Sequence, residues 1–72
     1  MNSREVITIR INGTEVVLSE KTTLAAYLRE KNYVFNRIAV EYNGEILKRE
    51  QYETIVLNPE DQLEIVSFVG GG

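Results

Sequence analysis

The segment from Val6 to Leu18 reads VITIRINGTEVVL, and the architecture of this 72-residue chain can be built outward from it. Apolar and polar residues alternate along its first half, which places Ile7, Ile9 and Ile11 on one face of a strand. An Asn-Gly pair follows at positions 12–13, the dipeptide that best tolerates the positive φ angles of a type I′ turn. The remaining residues return as a second strand. The sequence therefore predicts an opening β-hairpin with one buried face.

A short helix is predicted after the hairpin. Thr22 or Thr23 can cap its first turn by accepting a hydrogen bond from a backbone N–H group. Good helix formers follow, and Leu24, Tyr27 and Leu28 have the i, i+3, i+4 spacing of a single buried stripe. These features predict a helix of about ten residues that lies across a sheet.

The second half of the chain repeats the hairpin pattern and ends in a fifth strand. The predicted elements are a third strand at 38–42, an Asn-Gly turn at 43–44, a fourth strand at 45–48, a helical turn at 49–52, a polar turn at 58–61 and a closing strand at 63–68. The order is hairpin, helix, hairpin and last strand, which fits a single domain over residues 1–69.

Composition excludes several functions. The chain has no cysteine and no histidine, so disulfides are impossible, zinc loses its usual ligands, and the common nucleophile–base pairs cannot form. Glu60 and Asp61 are neighbours in a turn, where we expect structural or solvated roles rather than catalysis. A net charge of −3 argues against nucleic-acid binding, and no apolar run is long enough to span a membrane. We expect a cytoplasmic protein that has no catalytic or metal-binding residues and is not itself an enzyme.

The unusual group is the carboxylate of Gly72. Gly70, Gly71 and Gly72 form a predicted flexible tail behind the closing strand, with an extended reach of about 10 Å. An ionised carboxylate is inert as an acyl donor, but attack on the α-phosphate of ATP would convert it to an acyl adenylate. A sulfur nucleophile could then form a thiocarboxylate, and an amine could form an isopeptide bond. Either route needs a partner enzyme, because no ATP-binding motif is present.

Three segments carry a resemblance to a known family. They are residues 40–46 around the second Asn-Gly pair, residues 49–52 (REQY), and residues 61–65 (DQLEI) leading to the terminal glycines. With these segments the chain resembles the sulfur carrier proteins of bacterial thiamine-thiazole biosynthesis, which belong to the ubiquitin-like β-grasp superfamily. The resemblance implies an α+β fold in which one helix packs across a mixed sheet of four to five strands. The last strand would be central and parallel to the first.

The resemblance also implies a reaction sequence. A ubiquitin-activating-like adenylyltransferase would use ATP to adenylate Gly72, and the chain itself would bind no cofactor. Sulfur would come from cysteine through a cysteine desulfurase. The thiocarboxylate would then give its sulfur to thiazole synthase, with Gly70 and Gly71 threading the tail into each partner.

A docking patch is predicted beside the tail. If Leu63 and Ile65 face the core, then Glu64, Val66 and Phe68 lie on the opposite face of the strand. Val66 and Phe68 could form an apolar patch for the activating enzyme. The alternative is that both side chains cover part of the sheet or pack under a loop.

Three other functions remain open at the level of sequence. The small subunit of molybdopterin synthase has the same fold, tail and activation, although its helical region tends to be longer. A protein modifier conjugated to lysine residues through Gly72 would share the acyl adenylate. A binding module whose glycines are incidental would need no tail chemistry.

Overall fold

A computed structural model describes residues 5–68 of the chain. The strands are β1 (Val6–Ile11), β2 (Thr14–Ser19), β3 (Ile38–Tyr42), β4 (Glu45–Ile46) and β5 (Gln62–Ser67), and the helix is α1 (Leu24–Glu30). Two short 3₁₀ helices cover Phe35–Arg37 and Arg49–Glu53. None of the helices in this range is long and apolar enough to cross a membrane.

The five strands form one mixed sheet in the order β2-β1-β5-β3-β4. The last strand, β5, lies in the centre, parallel to β1 and antiparallel to β3. The other neighbouring pairs, β1 with β2 and β3 with β4, are antiparallel hairpins. This topology confirms the predicted mixed sheet and the central position of the closing strand.

Both hairpin turns have the predicted backbone conformation. Asn12 and Gly13 have φ angles of 51° and 81°, and Asn43 and Gly44 have φ angles of 48° and 91°. A two-residue type I′ turn requires positive φ at both central positions, which asparagine and glycine tolerate best. The two Asn-Gly pairs therefore fix where each hairpin reverses.

The hydrophobic core lies between the sheet and α1. The predicted inner face of β1 is buried, and β5 buries Leu63 and Ile65 against the same layer. From the helix side, Leu24, Tyr27 and Leu28 are buried as predicted. Thr23 caps the helix, because its Oγ1 accepts a hydrogen bond from the Ala26 N–H group at 3.0 Å. This packing leaves the opposite face of the sheet exposed to solvent.

Two elements are shorter than predicted. α1 has seven residues because its end is closed by a Schellman motif, in which the Tyr33 N–H group donates to the Leu28 carbonyl and the Asn32 N–H group donates to the Arg29 carbonyl. β4 has two residues, because the chain turns at Lys48, whose N–H group donates to the Gln51 side chain. The 3₁₀ helix at Phe35–Arg37 was not predicted.

Candidate functional site

The last strand leads from the centre of the sheet to the predicted reactive tail. β5 ends at Ser67, and the following residue, Phe68, is still anchored because its N–H group donates to the Arg37 carbonyl at 2.8 Å. The predicted site residues Gly70, Gly71 and Gly72 lie outside the described residues. The structure therefore describes the part of the chain that precedes the glycines, namely β5 and Phe68.

Val66 and Phe68 lie on the solvent-exposed side of β5 and of the residue that follows it. Val66 is 56% exposed and Phe68 is 57% exposed, whereas Leu63 and Ile65 of the same strand are buried. This confirms the predicted alternation along β5. Since more than half of each residue is accessible, neither is packed under a loop. Accessibility of this kind is what a docking patch requires, and the docking role itself stays a prediction.

The side chain of Asn12 clamps β5 near its end. Its Oδ1 atom accepts a hydrogen bond from the Ile65 N–H group at 2.8 Å, and its Nδ2 atom donates to the Ile65 carbonyl at 3.2 Å. The backbone N–H group of Asn12 donates to the Leu63 carbonyl at 2.8 Å. β1 ends at Ile11, one residue before Asn12. The side-chain carboxamide of Asn12 therefore takes the place of a further peptide group of β1 and extends the pairing along β5 toward the tail.

A second clamp holds the start of β5 around the buried carboxylate of Asp61. Asp61 accepts hydrogen bonds from the Tyr42 hydroxyl at 2.6 Å, the Asn43 side-chain amide at 3.1 Å and the Asn58 N–H group at 2.8 Å. Asn43 in turn accepts a hydrogen bond from the Gln62 N–H group at 2.8 Å. Asp61 thus has the structural role expected for it, while the network around it was not predicted.

Asn12 and Asn43 therefore each form a hairpin turn and also hold β5 through side-chain hydrogen bonds. From the sequence, Asn12 and Asn43 are predicted as turn residues only, since an Asn-Gly pair between two strands is fully explained by its turn. The contact from Asn12 to Ile65 spans 53 positions along the chain. No local pattern in the sequence signals such a contact, which appears only once the strand order is known.

Replacing Asn12 by glycine tests the clamp at the end of β5. Asn12→Gly keeps the positive φ but removes both side-chain hydrogen bonds to Ile65, so we expect destabilisation of about 1–3 kcal/mol. We also expect at least about tenfold faster hydrogen exchange at the Ile65 amide. The matched control is Asn32→Gly, because Asn32 has a φ of 64° at the end of α1 and has no side-chain hydrogen bond in the described structure. Equal exchange at Ile65 in both variants would contradict the clamp.

Alkaline pH tests the second clamp. Burial, the hydrogen bond to Asp61 and the negative charge of Asp61 together raise the pKa of Tyr42 to about 12, with burial as the largest cause. Because the folded pKa lies above the ordinary value of 10.0, the neutral phenol contributes stability that is complete below pH 10.0 and is lost toward about pH 12. Burial also raises the pKa of Tyr27 and Tyr52, which adds to the loss in the same direction.

The measurement is the urea midpoint from neutral to alkaline pH, with tyrosinate absorbance followed in parallel. Tyr42→Phe should lower stability by about 1–2 kcal/mol at neutral pH, because Asp61 loses one donor. The same variant should lose less stability than the wild type as the pH rises above 10.0. An identical pH dependence in both proteins would show that Tyr42 does not titrate as described.

Comparison with known proteins gives one family. The family model described as "ThiS family" matches residues 3–72 of the chain. The sulfur carrier protein ThiS of Bacillus subtilis is 38% identical over 69 residues, which covers 89% of this chain and 98% of that protein. The similarity therefore extends over nearly the full length of both.

A second relative is much longer than this chain. A thiazole synthase of Paramagnetospirillum magneticum is 42% identical over 62 residues, which covers 86% of this chain but 19% of that protein. A thiazole synthase of Magnetococcus marinus is matched in the same way, over 20% of its length. The chain thus spans about one fifth of the length of these two relatives.

A solved structure matches the fold. The crystal structure of the thiamine biosynthesis protein ThiS from Geobacter metallireducens superimposes with a TM-score of 0.77 and 28% sequence identity. The match covers 92% of this chain and 100% of that one. The fold class expected from the sequence, an α+β fold with one helix on a mixed sheet, is confirmed.

Proposed function

The chain belongs to the ThiS family, and from this premise we propose that it carries sulfur for thiazole formation in thiamine biosynthesis. The observation that carries the proposal is the end-to-end similarity to a sulfur carrier protein. The family match runs to residue 72 and so includes the three glycines behind the central strand. In this role the chain is a co-substrate of other enzymes.

The proposed reacting group is the carboxylate of Gly72. One of its oxygens attacks the α-phosphate of ATP in a partner adenylyltransferase, which releases pyrophosphate and leaves an acyl adenylate. The sulfur comes from cysteine as the outer sulfur of a desulfurase persulfide, which adds to the acyl carbon and expels AMP to give an acyl disulfide. A thiol then reduces that disulfide and releases the sulfur on the acyl group. The product is a thiocarboxylate on Gly72. The partner holds the ATP, and this chain contributes the acyl group.

The described structure supports this chemistry through the anchored strand that precedes the tail in the sequence. Phe68 is the last described anchor, held to Arg37 through its N–H group. Three glycines can extend about 10 Å, which lets the carboxylate enter a deep active site while the domain stays outside. Glycine suits such a thread, because a Cβ atom at Gly70 or Gly71 would widen it.

The similarity to thiazole synthases supports thiazole synthase as the acceptor of the sulfur. A stretch resembling this chain occurs within thiazole synthase polypeptides of two organisms. A carrier domain and its acceptor gain from being joined, because the linkage raises their effective concentration. This observation favours the thiamine pathway over the molybdopterin alternative.

The experiment that tests the acceptor is a transfer assay. The thiocarboxylated protein is incubated with thiazole synthase and its other substrates, and in parallel with the large subunit of molybdopterin synthase. We expect the intact mass to lose its sulfur with thiazole synthase only. Sulfur transfer to the molybdopterin enzyme alone, or attachment of the chain to lysine residues, would contradict the proposal.

The apolar patch of Val66 and Phe68 is proposed to dock the adenylyltransferase. Burying a side chain of this size in an interface contributes about 1.5–3 kcal/mol, so Val66→Ser and Phe68→Ser should each raise KM for the carrier about tenfold or more. The control is Val17→Ser, because Val17 is 63% exposed on the edge strand β2 of the same sheet. The assay is ATP–pyrophosphate exchange, and an equal KM in all four proteins, wild type included, would rule out docking through the patch.

A further inference from the structure

The strand β2 forms one edge of the sheet and lacks the features that usually keep such an edge unpaired. Natural edge strands are protected by short length, bulges, proline or lysine. The opposite edge, β4, has two residues and is soon followed by Lys48 and Arg49. In contrast, β2 has six residues, pairs with β1 without a bulge, and contains neither proline nor lysine. Within residues 5–68, β1 is its single neighbouring strand, so the outer edge of β2 is open to a further strand.

The hydrogen bonds of β1 show which backbone groups of β2 point outward. The Thr8 carbonyl accepts a hydrogen bond from the segment 60–61, which leads into β5, and the Arg10 N–H group donates one to the same segment, both at 2.9 Å. Opposite residues of an antiparallel pair either bond each other or both turn their backbone groups away. Thr8 is opposite Val17, and Arg10 is opposite Glu15. The N–H and C=O groups of Val17 and Glu15 therefore point away from β1, toward the outer edge.

One antiparallel register of two β2 strands uses these outward groups best. The same alternation turns the N–H group of Ser19 outward, while its carbonyl already accepts from the Thr22 hydroxyl at 2.6 Å. When Val17 lies opposite Val17 of a second copy, the valines exchange backbone hydrogen bonds, and each Ser19 N–H group donates to the Glu15 carbonyl of the other copy. A shift in either direction moves outward groups past an end of β2, and the shift centred on Glu15 opposes two glutamates.

The side chains of β2 fit this register on both faces of the sheet. On the outer face, Val17 is 63% exposed and meets its own copy. Glu15 lies opposite Ser19, so like charges are not opposed. On the helix face, Val16 and Leu18 are partly buried against the core, and they lie opposite each other in the same register. Apolar contacts therefore accompany the backbone pairing on both faces.

We propose that the outer edge of β2 pairs with β2 of a second copy of this chain, in an antiparallel two-fold dimer centred on Val17. A second copy is the occupant because the strand is complementary to itself in this register, both in its backbone groups and in its side chains. β1 separates β2 from β5, so the dimer leaves the strand that precedes the glycines accessible. The interface is one strand wide, which places it among weak, transient associations. It does not depend on sulfur transfer.

Cysteine substitution tests the register, because the chain has no cysteine of its own. Val17→Cys places two thiols opposite each other with about 5.5 Å between the Cα atoms, which suits a disulfide. Glu15→Cys is the matched control on the same strand and face, since its two copies lie roughly 13 Å apart along the strands. Both variants are oxidised with glutathione disulfide, and the covalent dimer is quantified by intact mass. We expect at least about tenfold more dimer from Val17→Cys.

Sedimentation equilibrium measures the association without a cross-link. From about 10 µM to 1 mM, we expect the average mass of the wild type to rise from that of one chain toward that of two. Val17→Lys should abolish this rise, because it opposes two ammonium groups at the centre of the pairing. Val34→Lys is the control, because Val34 is 55% exposed and lies outside the strands.

Three results would overturn the dimer. They are a wild-type chain that stays monomeric over the whole concentration range, an association that persists unchanged in Val17→Lys, and cross-linking of Glu15→Cys that equals that of Val17→Cys.

Discussion

Deleting Gly71 and Gly72 is expected to abolish adenylation and sulfur loading completely while the thermal midpoint stays the same. The deletion removes the reacting carboxylate and shortens the reach of the tail by about 7 Å. No contact among residues 5–68 is lost. The core contains Leu63 and Ile65 of β5, and the last described backbone hydrogen bond after that strand is the one that Phe68 donates to Arg37. The measurements are intact mass after incubation with ATP and the adenylyltransferase, and thermal unfolding of the purified variant.

A matched variant separates the terminal carboxylate from the glycines themselves. Adding one alanine after Gly72 keeps all three glycines but turns the reacting carboxylate into a peptide group, so we expect the same loss of loading. A binding module with incidental glycines would tolerate both changes. Thiazole formation by the truncated protein would contradict the carrier function.

Leu63→Ala has the largest expected effect on stability. Leu63 is 1% exposed in the central strand β5 and packs in the core beneath α1. Truncating a buried leucine leaves a cavity and typically lowers the free energy of unfolding by 2–5 kcal/mol, roughly. A chain of this size has about 4–11 kcal/mol in total, so the variant loses a large fraction of its stability.

The measurement for Leu63→Ala is equilibrium unfolding in urea, with Gln62→Ala as the control. Gln62 is the exposed neighbour on the same strand, and its backbone hydrogen bonds survive the substitution. We expect the control to stay within about 0.5 kcal/mol of the wild type. A loss below about 1 kcal/mol in Leu63→Ala would show that β5 is not the packed centre of the core.

Much of the fold follows from short-range patterns. The alternation around Ile9 sets the buried face of β1, and each Asn-Gly pair sets a turn with positive φ. These signals are local, so they can be identified without knowing the topology. The length of α1 is different, because its end depends on how Asn32 and Tyr33 close onto the preceding carbonyls.

Features of the candidate site also fall into two kinds, those that a local sequence pattern shows and those that depend on which strands pair. The terminal glycines and the outward position of Val66 are visible in the sequence, because they depend on composition and on the two-residue period of a strand. The register between β3 and β5 joins two segments that lie far apart in the chain. The Asn12 clamp likewise requires β1 and β5 to be neighbours. Sequence periodicity defines faces, but it does not define which strands pair or in which register.

The most direct test of the carrier function is intact mass spectrometry of the protein after incubation with ATP, the adenylyltransferase and a sulfur source. We predict a mass gain that matches replacement of one oxygen by sulfur, localised to Gly72 by fragmentation. Absence of both adenylate and thiocarboxylate, with the enzyme shown to be active on a carrier of its own, would contradict the account and favour a binding module.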